Sequence, residues 1–277
     1  MDLLAKITRI TTQKKSKSRY NIFLDQEQGE KYGFSVDEDI LIQYQLRKGL
    51  ELNESDINAL IQKDNLQKSF TLGLNFLSYR MRSKKEMYDY LVKKEVDPDQ
   101  IPVVIDRLEN EGFLNDRDFA HALIRTRINT TSKGPLLLRK ELIDKGVART
   151  IADEAVGLFP YEEQYKKAEK WVAKKLKNDG RKSFKQQVQS IQQTLLQKGF
   201  NSEIIKDVLN DIDDNRNEDA EWEAVVHQGQ KILAKQRKKT EGSELRHKVK
   251  AALYRKGFSF EHIERFLDEY TQEDHGW

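Results

Sequence analysis

The side chains in this sequence that are best placed to do chemistry are lysines and arginines, and the chemistry they support is the binding of phosphate. They cluster in four polar stretches, "KKSKSR", "TTSKG", "NDGRKS" and "QRKKTEGS". Closely spaced cations bind the phosphate backbone of nucleic acids, and that binding weakens with salt. A single basic cluster is more often a solvated surface, so the distribution of the clusters along the chain decides between the two interpretations.

The charges are segregated along the chain, although the net charge is only +3. Residues 163–199 contain ten basic and three acidic residues, whereas residues 200–223 contain two basic and nine acidic ones. The alternation recurs, with ten basic and two acidic residues over 231–257 and one basic and six acidic residues over 258–277. This periodicity predicts basic segments that lie along one side of a repeating structure. It favours nucleic-acid binding over a merely solvated surface.

Other kinds of chemistry have little support in the sequence. No two of the five histidines have the i, i+4 spacing with an intervening glutamate that a zinc hydrolase uses. There is no glycine-rich nucleotide loop, and the acidic stretch "NDIDDNRNED" lacks the central glycine of a calcium loop. The absence of cysteine excludes disulfides and thiolate sites. We therefore expect no enzyme activity, no metal and no cofactor.

The elements that position the cations repeat four times. Lys145, Lys198 and Lys256 each precede a glycine, and they align with Lys94, where Glu95 replaces the glycine. A leucine stands three residues before each lysine. Apolar or aromatic residues recur five, eight, nine and twelve positions after the residue that follows the glycine. Because this spacing is helical and glycine often closes a helix, each repeat is predicted to contain three helices, the second ending at the Lys-Gly pair.

The repeats are expected at residues 66–112, 113–161, 162–214 and 215–277. Three patterns predict where helices begin: a capping box in "SKKE", a cap followed by acidic residues in "NDRD", and a proline in the first turn after "KG". The residues interpreted as structural caps, starts and turns are Ser83, Glu86, Gly112, Asn115, Asp116, Gly134, Pro135, Gly146, Gly199 and Gly257.

Residues 1–65 do not fit the repeat and are expected to form a small α+β domain. "LLAKITRITTQ" and "RYNIFLD" alternate like the strands of a hairpin, and "KYGFSV" predicts a further short strand. Two helices should follow, over "DEDILIQYQLRKG" and "NESDINALIQKDN", before a long helix near residues 67–82. The predicted fold class is mainly α: tandem three-helix, helix-turn-helix-like repeats in an elongated curved array, behind an N-terminal α+β domain with a β-hairpin.

The chain carries no pattern of membrane targeting. No apolar run approaches the ~20 residues that a membrane-spanning helix needs. The first residues, "MDLLAKITRI", lack the apolar core and cleavage site of a secretory signal. We expect a cytoplasmic monomer that does not bind membranes.

Four stretches in a fixed order carry a family resemblance: "LSYRMRSKKEMYDYL", "LENEGFLNDRDFA", "KGPLLLRKELIDKGV" and "LLQKGF". The sequence resembles the RecX family of regulatory proteins, and its first residues resemble the extra N-terminal domain of longer members. Glu95 departs from the family pattern, in which many members have glycine. The resemblance implies a regulator that lies in the groove of the RecA–single-stranded-DNA filament. There it restrains strand exchange, ATP hydrolysis and coprotease activity, with roles in DNA repair, homologous recombination and the SOS response.

The partners expected from the resemblance are RecA and DNA, and the candidate contacts are basic. Arg80 and Arg82 stand two apart at the end of the predicted long helix, so one should serve the fold while the other faces outward. A free-standing helix-turn-helix DNA-binding protein and a purely structural helical scaffold are the alternatives. The candidates are Lys14, Lys15, Lys17, Arg19, Arg80, Arg82, Lys84, Lys85, Arg125, Arg127, Lys133, Arg139, Lys140, Lys174, Lys175, Arg181, Lys182, Lys185, Arg237, Lys238, Lys239, Arg246, Lys248 and Lys250.

Overall fold

The structure is a computed structural model that describes residues 4–14, 16–26, 29–179, 181–214 and 217–271. Within these residues it contains four strands and thirteen helices. No helix among them is long and apolar enough to cross a membrane. The chain divides into two compact units: Met1–Phe119 with Lys145–Val147, and Ala120–Asp144 with Ala148–Trp277.

A four-stranded antiparallel sheet opens the first unit. Strands β1 (Ala5–Thr12) and β2 (Arg19–Gln26) form the predicted hairpin, and "KYGFSV" lies in β3 (Gly29–Asp37). A two-residue strand, β4 (Glu51–Leu52), pairs with β1 and gives the order β3-β2-β1-β4. Alternate apolar residues of the strands face one core, as a half-buried sheet requires. Its fully buried side chains are Ile7, Ile22 and Val36.

The helices after the sheet differ from the prediction. The first, α1 (Glu38–Gln43), covers only part of its predicted stretch, since Gln45 has a φ of 48° and a left-handed residue does not continue an α-helix. The next two predicted helices are one continuous helix, α2 (Glu54–Leu77), which starts at a capping box on Asn53. No proline interrupts this stretch, so nothing in the chain breaks the helix. It ends at Leu77, five residues before the predicted end near residue 82.

Three-helix repeats make up the rest of the described chain. Repeat 1 uses the C-terminal half of α2 with the next two helices, and repeats 2, 3 and 4 have three helices each. In chain order these are α3 (Lys84–Lys93), α4 (Gln100–Asn110), α5 (Asp116–Thr130), α6 (Pro135–Asp144), α7 (Arg149–Gly157), α8 (Tyr161–Asp179), α9 (Phe184–Gln197), α10 (Ser202–Asp214), α11 (Glu218–Gln236), α12 (Gly242–Arg255) and α13 (Phe260–Tyr270). The predicted class, mainly α with tandem three-helix repeats behind a small α+β domain, is confirmed.

The predicted apolar positions form the cores of the repeats. The leucines three residues before the aligned lysines are fully buried: Leu91, Leu142, Leu195 and Leu253. The residues five positions after the one that follows each Lys-Gly turn, or Lys94-Glu95 in repeat 1, are also buried: Ile101, Ala152, Ile205 and Ile263. Burial of one leucine contributes about 1.5–3 kcal/mol. The repeated positions therefore supply the packing that holds each group of three helices together.

The predicted helix starts and turns are also confirmed. Ser83 and Glu86 form a capping box at α3, and the Asn115 side chain accepts from the Arg117 N–H (2.9 Å) at α5. Pro135 is the first residue of α6. The turn glycines have φ in the left-handed region that glycine favours: 77° at Gly112, 84° at Gly146, 80° at Gly199 and 82° at Gly257.

Candidate nucleic-acid interface

The start of α3 contacts Lys145 and Gly146, which follow α6 and belong, like α3, to the first unit. Ser83 Oγ accepts from the Glu86 N–H (3.1 Å) and donates to the carbonyl oxygen of Lys145 (2.7 Å). The Glu86 carboxylate accepts from Lys145 Nζ (2.7 Å). A Cβ on Gly146 would lie 2.4 Å from the Cβ of Lys85, so this close approach requires glycine. We call Ser83–Glu86, Lys145 and Gly146 the first junction.

The same contact recurs at the start of α9, within the second unit. Ser183 is fully buried, accepts from the Gln186 N–H (3.3 Å) and donates to the carbonyl oxygen of Lys256. A Cβ on Gly257 would lie 3.2 Å from the Cβ of Lys185. We call residues 183–186, Lys256 and Gly257 the third junction. Its backbone arrangement matches the first junction, but Gln186 stands where the first junction has glutamate.

A buried carboxylate completes both junctions: Asp116, which was predicted only as a helix-start residue, and Glu221, which was not predicted. The Lys84 N–H donates to Asp116 Oδ1 (2.8 Å), and the Phe184 N–H donates to Glu221 Oε1 (3.4 Å). Burial raises the pKa of Asp116 above its ordinary value. Each acid stands four residues before a buried apolar residue in the first helix of a repeat. That spacing was the available signal.

The contact between the start of α6 and the residues that follow α9, which we call the middle junction, lacks this carboxylate. There the Gly134 N–H donates to the carbonyl oxygen of Lys198 (2.7 Å), but Pro135 has no N–H that could donate to a carboxylate. The residue aligned with the two acids is the neutral Gln164. Its buried Oε1 has no hydrogen-bond partner in the described part of the chain. An acid is present only where the second helix begins with a free N–H.

Glu95 occupies the turn position of repeat 1, where no junction forms. It aligns with the junction glycines and keeps their conformation, with a φ of 58°. Repeat 1 is the first of the series, so no second helix of an earlier repeat contacts this position. Glutamate there has only the strain of a left-handed backbone, roughly 1–3 kcal/mol. The lost glycine is thus explained by the absence of a close neighbour.

Many of the predicted contact residues form ion pairs with acidic side chains of the protein itself. An exposed ion pair contributes little to stability, but it cancels the charge that a phosphate would meet. The pairs are Arg80–Glu86, Lys84–Glu109, Lys85–Asp89, Arg127–Glu141, Lys133–Glu141, Arg139–Asp153, Arg246–Glu264, Lys248–Glu244 and Lys250–Glu264.

The basic connection of the hairpin is divided between two roles. Arg19 donates to both carboxylate oxygens of the buried Asp64 (3.2 and 2.7 Å), and its side chain is only 16% exposed. The pair joins the sheet to α2, so Arg19 serves the fold. Lys14 and Lys17 are exposed, and Lys15 lies outside the described residues.

Arg80 and Arg82 diverge as predicted, and both follow the end of α2. The Arg82 guanidinium lies 4.0 Å from the ring centroid of Phe76, and burial lowers the pKa of Arg82. Its buried Nε has no hydrogen-bond partner among the residues described. Arg80 is exposed but donates to Glu86 (3.0 Å). Burial alone would raise the pKa of Glu86, but hydrogen bonds from Arg80 and Lys145 outweigh it and lower the pKa to about 2.

The remaining candidates are less constrained. Lys174 lies near the Trp171 ring (5.2 Å to its centroid), Lys175 donates to Ser190 Oγ (3.2 Å), and Arg237 donates to a backbone carbonyl (3.2 Å). Lys182 is exposed. Candidates that are exposed and have no ion pair within the described ranges are Lys14, Lys17, Arg125, Lys140, Arg181, Lys185, Lys238 and Lys239.

Two of the described histidines each lie near one glutamate. His121 lies 3.5 Å from Glu154 and His262 lies 3.5 Å from Glu218. The described residues contain no group of three or more histidine, aspartate or glutamate side chains that could hold a metal ion. Burial, followed by the cations Lys231 and Arg181, lowers the pKa of His227.

The fold and the junctions define a protein of tandem three-helix repeats joined to a small N-terminal sheet domain. Sequence models of one family match each part in order. They are the "Regulatory protein RecX N-terminal domain" (residues 5–53), the "RecX, first three-helix domain" (70–108), the second (115–156) and the third, which matches twice (162–209 and 219–267). The chain belongs to the regulatory protein RecX family.

Relatives and solved structures agree with this assignment. Regulatory protein RecX of Oceanobacillus iheyensis is 48% identical over 98% of this chain and 100% of its own length. The Halalkalibacterium halodurans protein is 42% identical over 96% and 100%. A crystal structure of a regulatory protein RecX has a TM-score of 0.66 and 35% identity, covering 73% of this chain and 99% of that one. RecX from Lactobacillus salivarius has a TM-score of 0.52 and 31% identity, covering 55% and 98%.

Proposed function

We propose that this protein is a non-catalytic regulator of the RecA recombinase in the cytoplasm. It binds as a monomer in the groove of the RecA–single-stranded-DNA filament. There it modulates, and mostly inhibits, strand exchange, ATP hydrolysis and coprotease activity. The observation that carries the proposal is the match to RecX proteins over 98% of the chain at 48% identity.

Two structural features support a role in binding. Tandem repeats that reuse one junction present equivalent surfaces several times along a chain, which suits a partner that is itself repetitive. Exposed cations without ion pairs in the described chain, among them Arg181 and Lys239, can meet the phosphates of a nucleic acid.

The test is a titration of the purified protein against RecA filaments on single-stranded DNA. We expect ATP hydrolysis and strand exchange to fall at substoichiometric amounts of the protein, because a regulator seated in the filament groove acts on several RecA subunits. The coprotease reaction of the same filaments should fall in parallel. A folded preparation that changes none of the three activities would contradict the proposal.

Footprinting without RecA distinguishes the proposed function from the alternative, a free-standing DNA-binding protein. A free-standing helix-turn-helix DNA-binding protein protects a defined duplex sequence when RecA is absent. Footprinting across a set of duplexes, without RecA, should show no sequence-specific protection if the filament is the target. A reproducible footprint together with unchanged RecA activities would favour the alternative.

A further inference from the structure

The start of α9 holds positive charge that the protein does not neutralise. Arg181 and Lys185 are exposed, and neither has an ion pair in the described part of the chain. The first turn of α9 contains no acidic residue. At the aligned start of α3, by contrast, Lys85 pairs with Asp89 (2.8 Å) and Lys84 pairs with Glu109.

The neighbouring helix α11 adds to this charge. The Gln228 side chain donates to the backbone carbonyl of Arg181 (2.8 Å), which holds the loop against α11. His227 lies close by, and its buried Nε2 has no hydrogen-bond partner among the described residues. Burial and then the charges of Lys231 and Arg181 lower the pKa of His227. Lys231, one helical turn after His227 on α11, is also exposed and has no ion pair in the described part of the chain.

The acid that contacts the start of α9 is used inside the protein. Glu221 is buried and accepts the Phe184 N–H, so it belongs to the junction. The backbone N–H groups of the first turn are largely used as well, since Gln186 and Gln187 donate to Ser183. The side chains of Arg181 and Lys185, rather than the helix end, are what remains available to an anionic ligand.

We propose that Arg181 and Lys185, with Lys231 on the neighbouring helix α11, form a binding site for the phosphodiester backbone of a nucleic acid. This deepens the proposed function and rests on its nucleic-acid partner, because it assigns DNA contact to the third junction. The paired cations at the start of α3 take no part. Because the site consists of exposed side chains, its removal leaves the junction hydrogen bonds intact.

The test compares two double variants that remove the same net charge. Arg181→Gln/Lys185→Gln removes the proposed contacts, and Lys84→Gln/Lys85→Gln removes cations that are already paired. Binding of the full-length protein to a labelled single-stranded oligonucleotide and to a labelled duplex is measured without RecA over a range of salt. Circular dichroism and urea unfolding check that both variants fold.

We expect the Arg181/Lys185 variant to bind about tenfold more weakly at moderate salt. Two lost phosphate contacts reduce the slope of log K against log salt by about 1.4 for a single strand or about 1.8 for a duplex. Weaker binding to either oligonucleotide supports the site. The oligonucleotide whose salt slope falls by the expected amount is the form of DNA that the site binds. The matched α3 variant should bind within about twofold of the parent, since its cations are already neutralised.

Charge-preserving replacement provides a second check. Arg181→Lys/Lys185→Arg should restore binding, which a merely structural role would not predict. Equal weakening by the α3 and α9 variants, or no weakening by either, would overturn the site. So would a parent protein that fails to bind DNA at low salt. The RecA ATP hydrolysis assay is run on the same variants. If the Arg181/Lys185 variant still inhibits ATP hydrolysis and binds DNA as well as the parent protein does, the site is wrong but the proposed function stands.

Discussion

The starts of α3 and α9 are built alike but use charge differently. Each begins at a fully buried serine, Ser83 or Ser183, that caps its helix and donates to a lysine carbonyl. Each is approached by a glycine with positive φ. The cations of the first are neutralised by neighbouring acids, whereas Arg181 and Lys185 of the second have no ion pair in the described chain.

Two acids at the start of α3 are replaced by glutamines at the start of α9. Asp89, which pairs with Lys85, aligns with Gln189, and Glu86, which holds Arg80 and Lys145, aligns with Gln186. The hydroxyl, the carbonyl and the glycine are the same in both. The junction therefore depends on backbone contacts, and the surface charge around it is free to differ between repeats.

The largest expected effect tests how closely the two junctions are packed. Gly146→Ala should lower the free energy of unfolding by about 3 kcal/mol, because it adds left-handed strain and an overpacked contact. Gly257→Ala should cost about half as much, since its added Cβ has 3.2 Å of room rather than 2.4 Å. Urea unfolding of both variants gives the comparison. Equal losses would mean that packing does not distinguish the junctions.

The next effect depends on pH. The pKa of Glu86 falls from 4.5 to about 2 on folding, which corresponds to about 3 kcal/mol of stability above pH 4.5. This stability is lost as the pH drops from about 4.5 towards 2. Glu86→Gln should therefore destabilise the protein by about 2–3 kcal/mol at pH 7 and hardly at all near pH 2.

Hydrogen exchange of α3 peptides is the appropriate measurement for this variant. The three tryptophans all lie in the second unit, so tryptophan fluorescence follows that unit and serves as the control. The expected result is faster exchange in α3 at neutral pH with an unchanged fluorescence transition. A difference that stays constant across pH would remove the ionised carboxylate from the explanation.

The two serines should behave alike. Ser83→Ala and Ser183→Ala each remove a helix cap and a buried hydrogen bond, so each should cost about 1–2 kcal/mol. Threonine at either position keeps the hydroxyl and provides the matched control. Thermal unfolding of the four variants suffices, and a serine whose loss changes nothing would show that its junction is held by other contacts.

The smallest effect converts one start into the other. Gln186→Glu places an acid where the first junction has one, completing a capping box with Ser183. It should stabilise the protein by about 0.5 kcal/mol, as capping and helix-dipole contacts usually do. The added negative charge should also weaken DNA binding a few-fold. Lys185→Gln provides the comparison, because it weakens binding without the gain in stability.

Much of the fold could be predicted because its signals are local. Helix caps such as Ser83 with Glu86 join residues three apart, and the Lys-Gly turns and the buried leucines recur at regular spacing. The break predicted inside α2 was wrong, since the strand-to-repeat transition suggested a boundary that nothing in the chain enforces. The junction contacts of Asp116 and Glu221 were not predicted, because these carboxylates accept from residues 32 and 37 positions away.

The sequence by itself determined four repeats, their helix ends and their apolar cores, because backbone preferences and helical spacing act between residues a few positions apart. Only the tertiary structure decided which cations are available. The partners of Arg19 and Lys145 lie 45 and 59 positions away, and no local pattern identifies them. In the sequence, Arg19, Arg181 and Lys185 are all basic residues in or near polar stretches. In the folded protein a carboxylate, that of Asp64, lies beside Arg19, whereas Arg181 and Lys185 have no ion pair in the described chain.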